Sequence, residues 1–545
     1  MGTPNHNTDL HILLTDEVIS KNIYNHIKKK SITDKEIIPV LVNQYGVCPK
    51  KISLSLSKNL NIPTSELSTL DLSNIDIENF SIEFMAENNA IAITKNKCTH
   101  MICCSIYDIL NIQNSTFTPN QQIKFYISSF KETTHTLNHL LSKTIYSSTK
   151  IIGQLTGKLT NNNKLNNIIN FILSDATIKN ASDIHIEPTS SHIIIRYRID
   201  GILTKILKLP INASLPIVNK LKIMSNLDIS EKRIPQDGRF NFKTIYHHNR
   251  DCRINCCPSI HGEKIVLRIL NPNQKALSIN QLNLNKKYND MLIRSIKQPQ
   301  GLILITGPTG SGKTNTLYTL LNIINTEKIN IITVENPVEL TLNGLHQINI
   351  SNKIKFGFTD ALRACLRQDP DVIMIGEIRD KESAEIAIHA AQTGHLVLST
   401  IHANCTIDTI TRLINMSIRP FNLINSLSLV VAQRLVRKLC NNCKIPGLST
   451  TEKELLSNIE IGDKIFHSSE AGCDQCTHGY YGRAPVFEFL KINDEVKSIL
   501  SKESFASGLE SFFIESNINK LKHSAFFTAD QGLTSISEIY RSVLY

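Results

Sequence analysis

An α/β architecture, a parallel sheet flanked by helices, is expected for the part of this chain beyond about residue 290, and a smaller α+β region is expected ahead of it. Three observations carry this. Four short β-rich apolar runs, "LILIT" at Leu302, "INIITVE" at Ile329, "DVIMIG" at Asp371 and "HLVLST" at His395, are separated by segments of helical periodicity, an alternation that builds parallel strands crossed by helices. The first run leads directly into "GPTGSGKTN" at Gly307, which is followed by the helix-like "NTLYTLLNII". Upstream, "LNNIINFILSDATI" has helical spacing, and "SDIHIEP" and "SHIIIRYRIDG" alternate apolar and polar residues with turn residues between them, as half-buried strands do.

Taken in order, residues 1–155 are rich in Asn, Ser, Ile and Lys and mix helical stretches with turn signals such as "NIPTSE". They are expected to form a mostly helical or mixed N-terminal partner-binding domain, and they carry no readable motif. Residues 156–272 form the α+β domain, which runs to "KIVLRIL" and ends at the turn-forming "NPNQ" from Asn271. A linker is expected over 273–290, the sheet-and-helix core over 291–435, a cysteine module over 436–482 and a helical C-terminal region over 483–545.

A chain of 545 residues is too long for one core, so at least three domains are expected. An apolar fraction of 41% and a charged fraction of 20% are ordinary for globular proteins. The formal charge of +11 is spread along the chain, with "KKK" at Lys28 its densest run, so it reads as a solvated basic surface. Nucleic acid is not expected as a partner: no basic cluster is interleaved with aromatics, aromatic residues make up 6%, and tryptophan is absent. No apolar stretch approaches the roughly 18–20 residues that span a bilayer, and the start "MGTPNHNTDLH" lacks a signal-peptide apolar region. The expectation is a cytoplasmic chain, peripheral to the inner membrane, that touches it only through partners.

The stretch at Gly307 fits G-x-x-x-x-G-K-[ST] through Gly307, Pro308, Thr309, Gly310, Ser311, Gly312, Lys313 and Thr314, and it has the strand-to-helix context this motif requires. Glycines let backbone N–H groups turn towards phosphate oxygens. The helix N-terminus adds positive potential, Lys313 reaches the outer phosphates, and the Thr314 hydroxyl can bind Mg²⁺. Cleaving a bound ATP also needs acidic groups. Glu377 follows the apolar run "DVIMIG", where a Walker B acid belongs. Glu335 and Glu339, in "TVENPVE", close another strand at the same sheet edge, which is where ligands sit in open α/β sheets. Glu377 is expected two strands from the cradle.

"RQDPDVIMIGEIRD" followed by "AAQTGHLVLSTIHAN" resembles the Walker B and His-box signature of the secretion ATPase family that drives type IV pilus assembly and type II secretion. The likeness continues upstream through "ASDIHIEP", "RYRIDG", "RIPQDGRF" and "HGEKIVLRIL", covering about residues 160–545. It implies a homo-hexameric ATPase with a RecA-like core and a second N-terminal domain that moves with each hydrolysis cycle. Its implied partner is an inner-membrane platform protein of a pilus or secretion machine. By similarity Glu377 is the catalytic carboxylate, Glu335 and Glu339 form the acidic box near Mg²⁺, and His402 belongs to the His box. Arg253 and Arg268 match second-domain arginines that reach the γ-phosphate. His395 has two readings, a His-box member or a core histidine bonded to backbone. The chain departs from the pattern at Asn336, where the acidic box ordinarily has an aspartate, and at Cys405 after the His-box Asn404. The Asn336 departure keeps a non-hydrolysing scaffold among the readings, beside the pilus motor, the secretion motor and a nucleic-acid motor.

Thirteen cysteines without an export signal point to reduced thiols. Four of them, Cys440, Cys443, Cys473 and Cys476, form C-x₂-C, 29 intervening residues and C-x₂-C. Four thiolates close a tetrahedral Zn²⁺ shell with no place for water, so the role is structural. A thioredoxin-like redox pair is the rival, and neither C-x-x-C opens a βαβ unit with the expected neighbours. The family resemblance agrees with zinc, because its extension and secretion members carry such an insert here.

Overall fold

The computed structural model describes residues 8–544 apart from 30–32, 44, 68–74, 77–78, 81, 96–97, 116–121, 135, 138–139, 141–161, 245–248, 271–276, 351–356, 456–464, 474–475 and 517. The chain divides into two compact units, Met1–Pro272 and Asn273–Tyr545. The expected linker sequence "NPNQ" and the boundary near residue 155 lie outside the described residues.

The first unit begins with helices Thr8–Thr15, Lys21–Lys29, Asp34–Asn43 and Pro49–Leu60. Their apolar faces, among them Leu10, Leu13, Ile27, Ile37, Leu41 and Leu56, share a core with a three-stranded sheet of β1 (Ile91–Lys95), β2 (Cys98–Cys103) and β3 (Gln122–Ile127). Further on lie β4 (Ala181–Pro188), β5 (His192–Ile199), β6 (Ile202–Pro210), β7 (Gln236–Lys243), β8 (Asn249–Ser259) and β9 (Gly262–Leu270), an antiparallel sheet in the order β6-β5-β4-β9-β8-β7. Strict alternation along β5 turns Ile193, Ile195, Tyr197 and Ile199 inward, against helices Asn162–Ile178 and Ser214–Met224. Alternation of this kind buries one sheet face and leaves the other to polar residues.

The second unit holds β10 (Gly301–Thr306), β11 (Ile331–Glu335), β12 (His346–Asn349), β13 (Val372–Ile375), β14 (Leu396–Ile401), β15 (Leu427–Leu439), the two-residue strands β16 (Ile445–Pro446) and β17 (Phe466–His467), and β18 (Tyr480–Lys491). Seven of these form one sheet, β12-β11-β13-β14-β10-β15-β18. Every pair is parallel except β15 with β18. The four apolar runs expected as strands are β10, β11, β13 and β14, and all four are wholly buried. Each is apolar on both faces because helices cover both: Leu302 and Leu304 enter one core, Ile303 and Ile305 the other. Among the described residues no helix is long and apolar enough to cross a membrane.

Two expectations are corrected. The region 483–545, expected to be helical, opens with β18, whose "APVFEFLK" pairs antiparallel with β15 and buries Ala484, Val486, Phe487, Phe489 and Leu490. A seven-residue apolar run with one charged residue has no period that separates strand from helix, and the neighbouring strand decided it. The linker 273–290 also overlaps a helix, Lys286–Ile296, which starts where the Asn285 side chain accepts a 2.9 Å bond from the Tyr288 N–H.

Candidate phosphate site and four-thiol cluster

β10 delivers the chain to Gly307 at the carboxyl edge of the sheet. Gly307, Gly310 and Gly312 have φ of 150°, 80° and 85°, conformations that other residues adopt only under strain. A Cβ on Gly307 would lie 2.4 Å from the Gln433 carbonyl oxygen, whereas one on Gly310 would meet nothing within 4 Å. The loop is thus closed against the protein at its first glycine and open at its second. Gly312 caps the helix Lys313–Ile324, directing unpaired N–H groups at the same hollow. The Ser311 hydroxyl is buried and has no hydrogen-bond partner. A buried hydroxyl without a partner in a glycine cradle at a helix N-terminus fits a phosphate group.

Lys313 is 8% exposed, and its ammonium donates to the carbonyls of Gly307 at 2.7 Å and Pro308 at 3.0 Å. Its pKa is lowered to about 8, chiefly by burial, with Glu377 opposing and Arg434 adding a smaller push downwards. Thr314 is half-buried in the first helical turn. Glu377 follows β13, with β14 between β13 and β10, so it lies two strands from the loop on the same edge. One carboxylate oxygen of Glu377 accepts from Arg379 Nε at 2.5 Å, and the other sits 3.4 Å from His402 Nε2. The strand ends are laced together: Thr306 Oγ1 accepts from the Ala403 N–H at 3.0 Å, and Thr400 Oγ1 donates to the Gly376 carbonyl at 2.7 Å. These bonds hold the His box and the Glu377 turn against the P-loop strand.

The two glutamates of the acidic box are placed differently. Glu335 is 3% exposed, and its carboxylate accepts from Tyr318 Oη at 2.5 Å, Thr333 Oγ1 at 2.7 Å and Gln347 Nε2 at 3.1 Å. The Tyr318 oxygen in turn accepts from the Glu339 N–H at 3.3 Å, so the box is organised by a tyrosine of the P-loop helix. Glu339 itself is exposed. Burial and the neighbouring Glu335 push the Tyr318 phenol well above its ordinary range. His395 is half-buried and bonded to backbone, its Nδ1 lying 2.9 Å from the Ala390 carbonyl oxygen. Cys405 stands where a helix cap belongs: its Sγ accepts from the Asp408 N–H at 3.4 Å and starts helix Thr406–Asn415. That helix, with Pro308, His402 and Asn404, lines a pocket of about 480 Å³ beside the loop.

Arg253 and Arg268 belong to the first unit and lie directly opposite each other on β8 and β9. The same row continues to Asp183 on β4 and Arg198 on β5, and to Arg239 on β7. Asp183 takes Arg268 at 3.0 Å and Arg198 at 3.6 Å, while Asp251 takes Arg239. Of this cross-strand row the sequence pointed to Arg253 and Arg268; register alone aligns Arg198 and Arg239 with them.

The four predicted thiols converge. Cys440 and Cys473, Cys443 and Cys476, and Cys473 and Cys476 each have Sγ atoms 3.6 Å apart, all four lie within 4.8 Å of one another, and none forms a disulfide. A tetrahedral zinc with bonds of about 2.3 Å has sulfur–sulfur edges of roughly 3.8 Å, so the donor set and its spacing fit that ion.

Besides Tyr318, two further residues escaped sequence reasoning. Gln433 on β15 bonds the P-loop, and Glu488 on β18 accepts from Thr406 Oγ1 at 2.6 Å and from the Leu521 N–H at 3.1 Å. The one signal available was a polar residue inside an apolar run, "VVAQRLV" and "VFEFL".

A parallel sheet whose strand β10 feeds a phosphate loop, with acids on adjacent strand ends, defines a P-loop α/β protein. The chain belongs to the Type II/IV secretion system protein family, which it matches over residues 158–541. It is 45% identical over 378 residues to the type IV pilus assembly ATPase PilB of Acinetobacter baylyi, covering 68% of this chain and 65% of that one. It is 42% identical over 375 residues to the type II secretion system protein E of Aeromonas hydrophila, covering 69% and 74%. The matched part thus spans just under two thirds of the pilus-assembly relative. The X-ray structure of the Legionella pneumophila ATPase DotB superposes with a TM-score of 0.51 at 22% identity over 68% of this chain and 94% of that chain, a likeness of fold.

Proposed function

We propose that this chain is a hexameric ATPase that couples ATP hydrolysis to pilin polymerisation in type IV pilus assembly, working in the cytoplasm against an inner-membrane platform protein. The observation that carries the ATPase reading is the gathering of Lys313, Glu377 and His402 on one sheet edge, around a glycine cradle with an orphaned Ser311 hydroxyl. Loop N–H groups would bind the phosphates, and Lys313 would leave its own loop's carbonyls to neutralise their outer oxygens. Glu377 would orient the attacking water and His402 hold Glu377, while Arg253 and Arg268 would answer charge on the γ-phosphate. Thr314, Glu335 and Glu339 would hold Mg²⁺, whose charge offsets that of the phosphoryl oxygens. Cys440, Cys443, Cys473 and Cys476 would hold a structural Zn²⁺.

A type II secretion motor is the second reading, favoured by the 42% identity to the Aeromonas protein, close to the 45% of the pilus relative. ATP turnover tests the enzyme: loss in Lys313→Ala and Glu377→Gln supports it, and full activity in either removes it. Strong stimulation by single-stranded DNA would instead favour a nucleic-acid motor. Co-purification with a pilus or a secretion platform protein separates the first two readings.

A further inference from the structure

We propose that Gln433 is a positioning residue for phosphate binding, one that sets the P-loop in the shape that receives a triphosphate. This deepens the ATPase reading and rests on it. Gln433 is 1% exposed, one residue beyond the Ala432 that pairs with Thr306 at the end of β10. Its side-chain amide donates to the Ser311 carbonyl at 2.8 Å and accepts from Thr316 Oγ1 at 2.8 Å. Its main-chain carbonyl occupies the space that a Cβ on Gly307 would need, at 2.4 Å, and its Nε2 lies 3.0 Å from where a Cβ on Gly312 would sit. One side chain therefore bonds the middle of the loop and the first turn of its helix, and the same residue abuts the loop's first and last glycines.

The geometry gives this a direct consequence. A trans peptide is planar, with its N–H opposite its C=O. Turning the Ser311 carbonyl down onto Gln433 turns the Gly312 N–H up, away from the floor and into the hollow. The amide also keeps the Ser311 carbonyl paired where water has little access, a group that would otherwise be costly to bury. Since the loop shape acts on substrate and transition state alike, losing it weakens binding more than it slows chemistry.

Two variants test this, each assayed for ATP KM and kcat beside wild type, with a melting curve to establish folding. Gln433→Met keeps the length and removes both bonds; KM should rise about tenfold with kcat held within about twofold. Gln433→Glu keeps the shape and loses the donor; its KM defect should be full at about pH 8 and shrink towards about pH 6, because a protonated carboxyl donates to the Ser311 carbonyl again. An unchanged KM in folded Gln433→Met, or a fall in kcat alone as loss of active molecules would give, overturns the proposal. So does a Gln433→Glu defect independent of pH, which decides the matter if the methionine variant does not fold. Wild-type protein without ATP turnover overturns the ATPase reading and this proposal together, whereas normal turnover with indifferent Gln433 variants overturns this proposal alone.

Discussion

The phosphate loop and the four-thiol lobe hang from the same strand and are built by opposite means. Gln433 on β15 carries the loop, and Cys440, the residue after the end of β15, opens the lobe. The loop is a main-chain object: its shape comes from three glycines with positive φ, from carbonyls that hold Lys313 and from a floor too close for a Cβ at Gly307. The lobe is a side-chain object whose described strands, β16 and β17, are two residues each. Buried polar contacts anchor it instead: Arg437 forms an ion pair with Glu538 at 2.7 Å and stacks 3.8 Å over Tyr480, and Glu452 accepts from the Ser537 N–H at 2.9 Å. A main-chain site tolerates little change in backbone shape, and a side-chain site tolerates little change in ligand chemistry.

Substitutions can break that comparison on either side. The largest effect is expected at Glu377→Gln, a fall in kcat of about 10³ with the protein still folded; a tenfold loss or less in a turnover assay would take the carboxylate out of the chemistry. Next comes the lobe. Metal analysis should find about one zinc per chain, and Cys473→Ser should release it and destabilise the second unit by about 4 kcal/mol, read from denaturant melts. Metal-free protein of full stability would show that the thiols hold the lobe unaided. Gly307→Ala, although it adds a single methyl, should cost about 3 kcal/mol or force the loop from its floor, seen as lost nucleotide binding in titration; wild-type affinity would deny that the floor is tight.

Two smaller effects sharpen the picture of the loop. Lys313, with a pKa lowered to about 8 by burial, is disfavoured as a cation in the folded protein. Its folded value lies below the unfolded one, so this cost is full below about pH 8 and disappears as pH rises towards about 10.5. Phosphate binding needs the charged form, so ATP affinity should fall by up to about tenfold per pH unit above about 8, and Lys313→Arg should flatten that slope. Tyr318→Phe removes a donor from buried Glu335 and an acceptor from the Glu339 N–H; a loss of about 1 kcal/mol is expected by thermal melting, and a larger KM change for Mg²⁺ than for ATP would place the tyrosine in the acidic box's function.

What could be read along the chain was whatever repeats a local rule. Four short apolar-rich runs separated by helical periodicity declare a parallel sheet flanked by helices, G-x-x-x-x-G-K-T declares a phosphate loop, and two C-x-x-C pairs declare a tetrahedral set of thiols. Each depends on neighbours a few residues apart or on one residue type with a single coordination habit. The assignment of β18 failed because its apolar run has no distinguishing period, and the strand beside it supplied the missing term.

The sequence by itself determined the architecture of the sheet, the cradle and the thiol set, since glycine torsions, apolar periodicity and cysteine chemistry are properties of the residues. Only the tertiary structure decided that Gln433 floors the loop, that Tyr318 organises Glu335, that Arg379 and His402 share Glu377, and that Arg198, Asp183, Arg268, Arg253 and Arg239 stand in one row. Those pairings join residues from separate strands and helices, and strand order and register, which bring them together, leave no local trace in the chain.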